Sequence, residues 1–413
     1  MKRNKMKLWA AEFTLALGCK LNCFFCPQKI LIDKYIRLFG NATTMNFDSF
    51  KIILDKIEPG ANLSFGGMVE PFSNPLCSKM IKYAYSKGFG INLATTLEGA
   101  TLDDFEEMKD VCFLGIRLHI PDMEGNSKFS LSDEWFEVFQ KVSARSDVYS
   151  YHCHGTVHDS VKKYLNPQKV VNNNLMNRAG NLDYEGLQTY CHKGRIICDN
   201  AADGRYDGFV PSILPNGTVL LCCMDYGMDH ILGNLLQQDW KEIVTGDEYL
   251  RVEKGMDDDS LDILCRKCPV ASKREASPWR RESNLRAPNA FRVWHQMAGI
   301  EEAGELEKKV LDKIKAAKKI CVFGLGKLFR DNYFQSCWHN VVPADLFSDN
   351  DKTKWNTEIC GIPCVPPEKL QKEDTLLVVT YVKDDNAIRE QLNSMGVTNI
   401  INIYDIYNMR DIE

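Results

Sequence analysis

The chain has 413 residues, of which 44% are hydrophobic and 26% are charged, and its formal net charge at pH 7 is −5. This length predicts two or three domains, and the composition is ordinary for a soluble globular protein. The slightly acidic balance creates no global basic field, which argues against nucleic acid as a partner. No segment approaches the roughly 18 uninterrupted apolar residues of a membrane helix, so no membrane partner is predicted.

The N-terminal residues 2–19 look at first like a lipoprotein signal, because basic residues precede an apolar stretch that ends at Cys19. Glu12 lies in the middle of this stretch, where a secretory signal is uncharged. The alternation over residues 13–17 instead fits a first buried strand. Without an export signal, the 16 cysteines are predicted to be cofactor ligands and reduced thiols in a reducing, anaerobic cytoplasm.

Strand-like and helix-like stretches alternate from residue 12 to about residue 180, which predicts βα units around a parallel sheet. The candidate strands are residues 62–65, 91–94 and 113–118, and the candidate helices are residues 47–57 and 76–87. Residues 273–288 are charged and contain proline, which is typical of a linker. An amphipathic helix over residues 301–317 then begins a separate α/β unit.

Cys19, Cys23 and Cys26 form a C-x3-C-x2-C motif, with Phe25 directly before the last cysteine. Thiolates at short spacings of this kind hold iron–sulfur clusters. Three ligands leave one iron of a four-iron cluster open, so that it can bind and activate a small molecule. Zinc is the alternative, but zinc usually takes four ligands from paired C-x2-C units, and Cys19 has no such partner.

This motif, including its aromatic residue, resembles the signature of the radical SAM superfamily. The resemblance implies a partial (β/α)6 barrel of the TIM type whose open iron chelates S-adenosylmethionine. The cofactor would be cleaved to methionine and a 5′-deoxyadenosyl radical, which takes a hydrogen atom from the substrate. The resemblance also implies that Phe25 borders the adenine and that a flavodoxin or ferredoxin supplies the electron.

Three further segments resemble radical SAM motifs that bind the cofactor. The run Gly66-Gly67-Met68-Val69-Glu70 resembles the glycine–glutamate motif, although Val69 stands where the family commonly has glycine. It implies that Gly67 and Glu70 hold the cofactor's amino group, since glycine permits close backbone approach and a carboxylate binds ammonium. Thr95 would lie near the ribose. Arg178 opens the Arg-Ala-Gly-Asn segment that ends many such barrels, and it would clamp the cofactor's carboxylate.

Three histidines are further candidates for the active-site face. His119 follows a candidate strand, and residues at the C-terminal ends of barrel strands face the active site. His152 and His154 would share one face of a strand. No convincing fourth ligand accompanies them, so these histidines are predicted to be structural or substrate-facing.

A second set of cysteines resembles the SPASM/twitch extension of radical SAM proteins. Cys222 follows a hairpin-like turn, and Cys265 and Cys268 form a C-x2-C pair. The resemblance implies that these three cysteines bind an auxiliary [4Fe–4S] cluster; zinc held by two cysteine pairs is the alternative. Either Cys191 or Cys198 would supply the fourth ligand.

Cys191 is the preferred fourth ligand, because it opens a C-x3-R pattern found at that place in relatives, and residues 199–207 resemble an insertion. No further cysteine lies between Cys268 and Cys321. A full SPASM domain would need a further pair there, so a single auxiliary cluster is predicted, giving two clusters in all.

The C-terminal unit has the pattern of a Rossmann-like half. A strand enters the glycine turn at Gly324 and Gly326, and a second strand ends in the acids Asp349 and Asp351. Phe329 replaces the third glycine of the dinucleotide fingerprint, which argues against dinucleotide binding. The unit resembles small Rossmann-like domains attached to sugar-modifying and glycan-assembly proteins.

These observations predict an α/β protein with three domains: a radical SAM barrel over residues 1–188, a small α+β SPASM/twitch domain over 189–288, and a Rossmann-like α/β domain over 300–413. The predicted activity is that of a cytoplasmic radical SAM oxidoreductase, a dehydrogenase or an epimerase. Its substrate would be a carbohydrate or an aminocyclitol, and the auxiliary cluster would accept an electron. No catalytic side chain is assigned.

Two other functions remain open. The first is modification of a ribosomally made peptide, and the second is a non-catalytic iron–sulfur scaffold or binding protein. For epimerisation, a thiol must return a hydrogen atom to the substrate. The candidate thiols are Cys112, Cys153, Cys198 and Cys223.

Overall fold

The computed structural model describes residues 8, 10–58, 60–145, 147–173, 175–199, 209–273, 305–326, 329, 333, 342–359, 361–370, 376–382 and 384–407. The chain forms two compact units, Met1–Arg281 and Glu282–Glu413. The predicted linker beyond residue 273 and the first four residues of the predicted helix 301–317 lie outside the described residues. In the described part of the chain, no helix has the length and apolar character needed to cross a membrane.

The first unit is built on a sheet of nine strands, and the six neighbouring strands that end at one edge of it are parallel and follow chain order. These six are β1 (Ala10–Phe13), β2 (Asn62–Phe65), β3 (Gly90–Thr95), β4 (Gly115–His119), β5 (Val148–Cys153) and β6 (Val170–Asn172). The helices between them are α1 (Gln28–Phe39), α2 (Phe47–Leu54), α3 (Cys77–Ser86), α4 (Leu102–Glu107), α5 (Asp133–Ser143) and α6 (Asp159–Lys162). The α/β class predicted from the alternating pattern is confirmed.

The predicted first strand, residues 13–17, was placed too late in the chain. β1 begins at Ala10, and Thr14 continues its ladder by donating its N–H to the carbonyl of Ile213 at 2.9 Å. Ala16 then pairs with Thr44 in an isolated bridge. The chain therefore leaves the sheet just before the cysteine motif, which makes that motif a loop at the C-terminal end of β1.

The two faces of this sheet differ in chemistry. Phe13, Phe65 and Leu93 belong to the large apolar core that includes the helices. Glu12 lies in register with Ser64 of β2, and Ser64 lies in register with Asn92 of β3. Because side chains alternate along a strand, these polar residues occupy the opposite face from the helix-packed core.

Three strands of the predicted second domain join the large sheet of the first unit. β8 (Ser212–Ile213) pairs with β1, and the antiparallel strands β9 (Thr218–Leu220) and β10 (Ile231–Asn234) extend the same sheet. A small antiparallel pair lies apart, formed by β7 (Ile196–Cys198) and β11 (Ala271–Lys273). The remaining helices of this region are α7 (Trp240–Val244) and α8 (Asp247–Gly255).

The second unit contains a six-stranded sheet in the order β14-β15-β13-β12-β16-β17, in which only the edge strand β14 is antiparallel. Its strands are β12 (Lys319–Phe323), β13 (Leu346–Ser348), β14 (Thr357–Ile359), β15 (Ile362–Val365), β16 (Leu376–Thr380) and β17 (Ile400–Asn402). Its described helices are α9 (Glu305–Ala316), α10 (Asn386–Ser394) and α11 (Ile403–Tyr407). The strand order reverses at β12, as it does in doubly wound sheets.

Candidate iron–sulfur and cofactor site

The three N-terminal cysteines lie together in the loop between β1 and α1, and each is partly buried. The side chain of Gln28 braces this loop: the Cys19 N–H donates to Oε1 at 2.8 Å, and Nε2 donates to the Cys19 carbonyl at 3.1 Å. Burial is the main cause that raises the pKa of Cys19 to about 11, and the neighbouring Glu70 and Cys23 add to the rise. Grouped thiols of this kind suit a cationic iron centre, which binds and stabilises the thiolate form.

Phe25 is 7% exposed, and its ring centroid lies 4.1 Å from that of His154. The neighbouring Phe24 is instead 52% exposed. The aromatic residue of the motif therefore points into the protein and forms part of a wall beside β5, while Phe24 faces outwards.

Glu70 and Thr95, which were predicted to contact the cofactor, contact each other. The buried Glu70 carboxylate accepts hydrogen bonds from Thr95 Oγ1 at 2.7 Å, from Thr96 N and Oγ1 at 2.7 and 2.6 Å, and from Phe72 N at 3.2 Å. Burial raises the Glu70 pKa, and these donors oppose the rise. Glu70 thus joins the turn after β2 to the end of β3, and it lies near enough to Cys19 to raise that thiol's pKa.

Gly67 makes room for Glu12. Its φ is +80°, and a Cβ placed on it would lie 1.9 Å from Glu12 Oε1. The neighbouring Gly66 likewise leaves no space, because its Cβ would lie 2.5 Å from the Ala94 carbonyl oxygen. Part of the space that these two glycines leave open is therefore filled by Glu12 and Ala94.

Glu12 is a site residue that sequence reasoning missed. Burial raises its pKa to about 7, while hydrogen bonds from Ser212 and Cys223 and the charges of Arg117 and Arg178 oppose the rise. The Ser212 hydroxyl donates to Oε1 at 2.9 Å. The sequence contains a sign of this role, because Glu12 is the only acid in the apolar run around β1. That observation was used only to exclude an export signal.

Arg178 is a largely buried cation that several titratable groups influence. It has a left-handed φ of +47°, and the groups whose charges act on it include Cys26, Cys223, Glu12 and Tyr226. The positive charge of Arg178 therefore lies near the N-terminal cysteine loop and also near the hairpin that carries the later cysteines.

The three histidines converge at the ends of β4 and β5. The ring centroid of His119 lies 5.5 Å from that of His152 and 6.3 Å from that of His154. Burial is the main cause that lowers the pKa of His119 well below its usual value and the pKa of His152 and His154 to about 4. All three rings are therefore neutral at pH 7. His152 contacts Asn173 Oδ1 and Ser150 Oγ, both at 3.0 Å.

The later cysteines form a second group, and the fourth member near them is Cys198. Burial is the main cause that raises the pKa of Cys222, Cys265 and Cys268, and the neighbouring Cys198 adds to the rise in all three. The pairing of β7 with β11 explains this position, since Cys198 is in register with Ala271, three residues after Cys268.

Cys191, the preferred fourth ligand in the sequence-based prediction, is exposed. Its neighbour His192 contacts the C-x2-C turn, with its N–H donating to the Arg266 carbonyl at 2.9 Å. Cys198 acts electrostatically on Cys222, Cys265 and Cys268. Its position favours Cys198 over the exposed Cys191 as the fourth ligand.

The C-x2-C turn is held by its own neighbours. The Arg266 guanidinium donates to the carbonyls of Gly255 at 2.6 Å and Gly194 at 2.5 Å. His230 Nε2 accepts the Leu264 N–H at 2.9 Å. Within the described ranges, no three Cys, His, Asp or Glu side chains are arranged to hold a single metal ion. The fit of these residues to iron–sulfur clusters therefore depends on the chemistry of their donor atoms. Three thiols form one group, and four thiols form the other.

Residues 209–269 match the family model of SPASM, an iron–sulfur cluster-binding domain. The match includes Cys222, Cys265 and Cys268, and Cys198 precedes it. Comparison with curated proteins finds no match.

Two solved structures are similar to the chain at low identity. The crystal structure of BtrN in complex with AdoMet and 2-DOIA is 14% identical, with a TM-score of 0.39, and the similarity covers 60% of this chain and 87% of that chain. The structure of selenomethionine BtrN in an open conformation is 12% identical, with a TM-score of 0.38 and coverage of 63% and 92%. At these TM-scores, nothing about the chemistry of this chain follows from either similarity.

The family match confirms the predicted SPASM domain, whose cofactor is an iron–sulfur cluster. The same sheet carries, after β1, the C-x3-C-x2-C loop with its buried aromatic residue. The chain thus combines a SPASM iron–sulfur cluster-binding domain with the cysteine motif that resembles the radical SAM signature.

Proposed function

We propose that this chain is a radical SAM enzyme with two [4Fe–4S] clusters. Cys19, Cys23 and Cys26 would hold the cluster that binds S-adenosylmethionine. The auxiliary cluster would be held by Cys198, Cys222, Cys265 and Cys268. The observation that carries this proposal is the SPASM iron–sulfur match over residues 209–269, on the same sheet as the three-cysteine loop after β1. Arg178 acts electrostatically on Cys26 and on Cys223, the neighbour of Cys222, which supports a substrate region near both groups.

The cluster and S-adenosylmethionine, when bound, supply a radical that removes a hydrogen atom from the substrate. The residues of this chain would bind and orient the cofactor. Arg178 offers a guanidinium for the carboxylate, and Phe25 offers a buried aromatic surface for the adenine. Glu70 and Thr95 hold the turn after β2 against the end of β3, which keeps the backbone at Gly67 beside the cysteine loop.

The proposed substrate is a small molecule rich in hydroxyl or amino groups, such as a carbohydrate or an aminocyclitol, which the enzyme would oxidise or epimerise. Support comes from the polar groups on the face of the sheet that the helices do not cover. Glu12 supplies a carboxyl group, Arg117 supplies a guanidinium, and the neutral rings of His119 and His152 supply hydrogen-bonding atoms. Groups of this kind suit hydroxyl-rich ligands, since each polar substituent needs a partner when it leaves water.

The test is reductive cleavage of S-adenosylmethionine by the anaerobically reconstituted protein, with 5′-deoxyadenosine measured by mass spectrometry. The wild type should form 5′-deoxyadenosine, and a variant with Cys19, Cys23 and Cys26 all changed to Ala should form none. Cys191→Ala is the matched control and should retain cleavage. Product from the triple variant would overturn the proposal. Turnover of peptides but not of sugars or aminocyclitols would overturn the substrate class alone.

A further inference from the structure

The face of the large sheet that the helices do not cover is partly open to solvent. On β1 to β5, polar residues of this face are partly or fully exposed, whereas the residues next to them along each strand, which point to the helices, are buried. The accessible polar residues are Glu12, Ser64, Asn92, Arg117, His119 and His152. A small molecule can therefore reach these side chains.

Glu12, Ser64 and Asn92 stand next to one another on three neighbouring strands. Glu12 is in register with Ser64, and Ser64 is in register with Asn92. Neighbouring strands lie about 4.8 Å apart, so the three side chains form one continuous polar row. Ser64 contributes a hydroxyl and Asn92 an amide, and both groups can donate and accept hydrogen bonds.

The row continues to β4, where Arg117 supplies a positive charge. Asn92 is in register with Gly115, and the Tyr149 ring fills the space beside Gly115, since a Cβ there would lie 2.6 Å from Tyr149 Cδ1. Arg117 Nε donates to the Tyr149 hydroxyl at 2.8 Å, and the guanidinium carbon lies 5.6 Å from the Tyr149 ring centroid. Tyr149 thus holds one edge of the exposed guanidinium, and the two Nη groups can bind an anion in the bidentate manner typical of arginine.

Glu12 and Arg117 are opposite charges whose hydrogen bonds go to uncharged partners. Ser212 Oγ donates to Glu12 Oε1 at 2.9 Å, and Arg117 donates to Tyr149. The charge of Arg117 nevertheless acts on Glu12, because it opposes the rise in pKa that burial causes there. β1 and β4 are three strand spacings apart, about 14 Å between their backbones. The two side chains therefore leave room between them for a small molecule with a charge at each end.

Thr14 gives a separate indication that a polar ligand reaches this face. It is fully buried, and its Oγ1 has no hydrogen-bond partner in the described structure. Thr14 follows Glu12 by two residues on a ladder that continues to Ile213, so both side chains lie on the same face of the sheet. Buried hydroxyls are almost always paired, because an unpaired one is costly. A hydroxyl or amino group of a bound molecule would supply the missing partner.

Resting on the proposed function, we propose that the substrate carries both an amino group and an anionic group, which is a carboxylate or a phosphate. Glu12 binds the amino group, and Arg117 binds the anionic group. Ser64 and Asn92 bond the hydroxyls between them. Arg178, the other cation that acts on Glu12, is assigned to the carboxylate of the cofactor. A neutral sugar, or an amine without an acidic group, would leave a charged side chain of this face without its partner, and sites of this kind reject such analogues.

The experiment measures binding and needs no radical chemistry. Five probes are titrated calorimetrically into the anaerobically reconstituted full chain without reductant. Glucosamine 6-phosphate and glucosaminic acid carry an amine and an anion, glucose 6-phosphate and gluconic acid carry the anion alone, and glucosamine carries the amine alone. At least one probe with both charges should bind about tenfold tighter than its single-charge counterparts, since hydrogen bonds to charged groups contribute a factor of this order. Whether the phosphate or the carboxylate binds tighter identifies the anionic group.

Variants assign the two ends of the site. Glu12→Gln should abolish the preference for the amino probe over its hydroxyl counterpart and keep the preference for the anion. Arg117→Gln should do the reverse. The matched controls are Glu137→Gln and Arg37→Gln, which change exposed residues of α5 and α1 and should leave both preferences unchanged. An iron content of about eight per chain shows that each variant is folded and loaded.

The outcomes separate this inference from the proposed function. Equal affinity for all five probes, or no binding of either probe with both charges, overturns the inference. Unchanged preferences in Glu12→Gln and Arg117→Gln also overturn it, because the charges would then be recognised elsewhere. None of these results affects the formation of 5′-deoxyadenosine, which is measured separately with reductant. Its absence from the wild-type reaction overturns the proposed function, whichever probes bind.

Discussion

Gly67 and Glu12 occupy one space: a Cβ on Gly67 would lie 1.9 Å from Glu12 Oε1. Gly67 was predicted to matter because it lets a cofactor approach the backbone. The structure adds a second reason, which is that the carboxylate of a neighbouring strand already fills the position a side chain would need. The two residues are therefore expected to depend on each other energetically.

Gly67→Ala should destabilise the protein more than Gly40→Ala. Both glycines have φ near +80°, but no atom lies within 4 Å of a Cβ on Gly40. Gly40→Ala is expected to cost about 1–2 kcal/mol for the left-handed backbone. Gly67→Ala should add about 1–3 kcal/mol from overpacking. Chemical denaturation of both variants provides the measurement.

The same pair can be tested by a double-mutant cycle. Glu12→Ala removes the carboxylate against which the new methyl group collides, so it should recover much of the additional loss caused by Gly67→Ala. Strict additivity of the two substitutions would show that the glycine is required for another reason.

The stability of the protein should depend on pH through Glu12. Burial raises the pKa of this carboxyl from 4.5 to about 7, so between these values the folded state binds more protons than the unfolded chain. Stability therefore falls as the pH rises through this range, and the loss levels off above the folded pKa. Relative to Glu12→Gln, which has no proton to lose, the wild-type Tm should decrease between about pH 5 and pH 8. Parallel curves for the two proteins would contradict the shifted pKa.

Cys198 and Cys191 should differ in their effect on iron content. The reconstituted wild type is expected to hold about eight irons. Cys198→Ala should lower this to about four, because the auxiliary cluster loses a thiolate, whereas the exposed Cys191 should be replaceable by Ala without loss. The reverse result would restore Cys191 as the fourth ligand. Zinc retained at Cys265 and Cys268 would remove the auxiliary cluster altogether.

The C-terminal unit should be separable from the radical chemistry. It has its own apolar core and begins at Glu282 as a compact unit, and units of this kind usually fold alone. A chain ending at Pro288 should remain soluble, hold both clusters and cleave S-adenosylmethionine without substrate. Failure to assemble the clusters would show that this unit is needed for the fold of the first.

The same unit should not bind nicotinamide dinucleotides tightly. Asp349, the acid that follows β13, is 8% exposed and already accepts the Leu325 N–H at 2.6 Å and Lys354 Nζ at 2.9 Å. A carboxylate engaged in this way is not available to a ribose hydroxyl, in agreement with Phe329 at the third glycine position. Tight binding of NAD or NADP in a titration would contradict this expectation.

The sequence alone determined the features that depend on local spacing. Cys19, Cys23 and Cys26 lie within one turn-sized segment, so their joint role can be read without knowing the fold. Alternation of apolar residues likewise located β2 to β4, because a strand's periodicity is a local property. Residues 209–269 could be identified as a SPASM domain because its hairpin and C-x2-C pair are sequence motifs.

Tertiary structure decided the rest. Cys198 reaches the later cysteines because β7 pairs with β11, a contact between segments far apart in the chain. Glu12 meets Gly67 and Ser212 only because β1 lies between β2 and β8. Long-range pairing depends on how strands are ordered in a sheet, and no spacing in the sequence encodes it. For this reason, the Glu12 carboxylate, which in the sequence only interrupts an apolar run, lies on the polar face of the sheet.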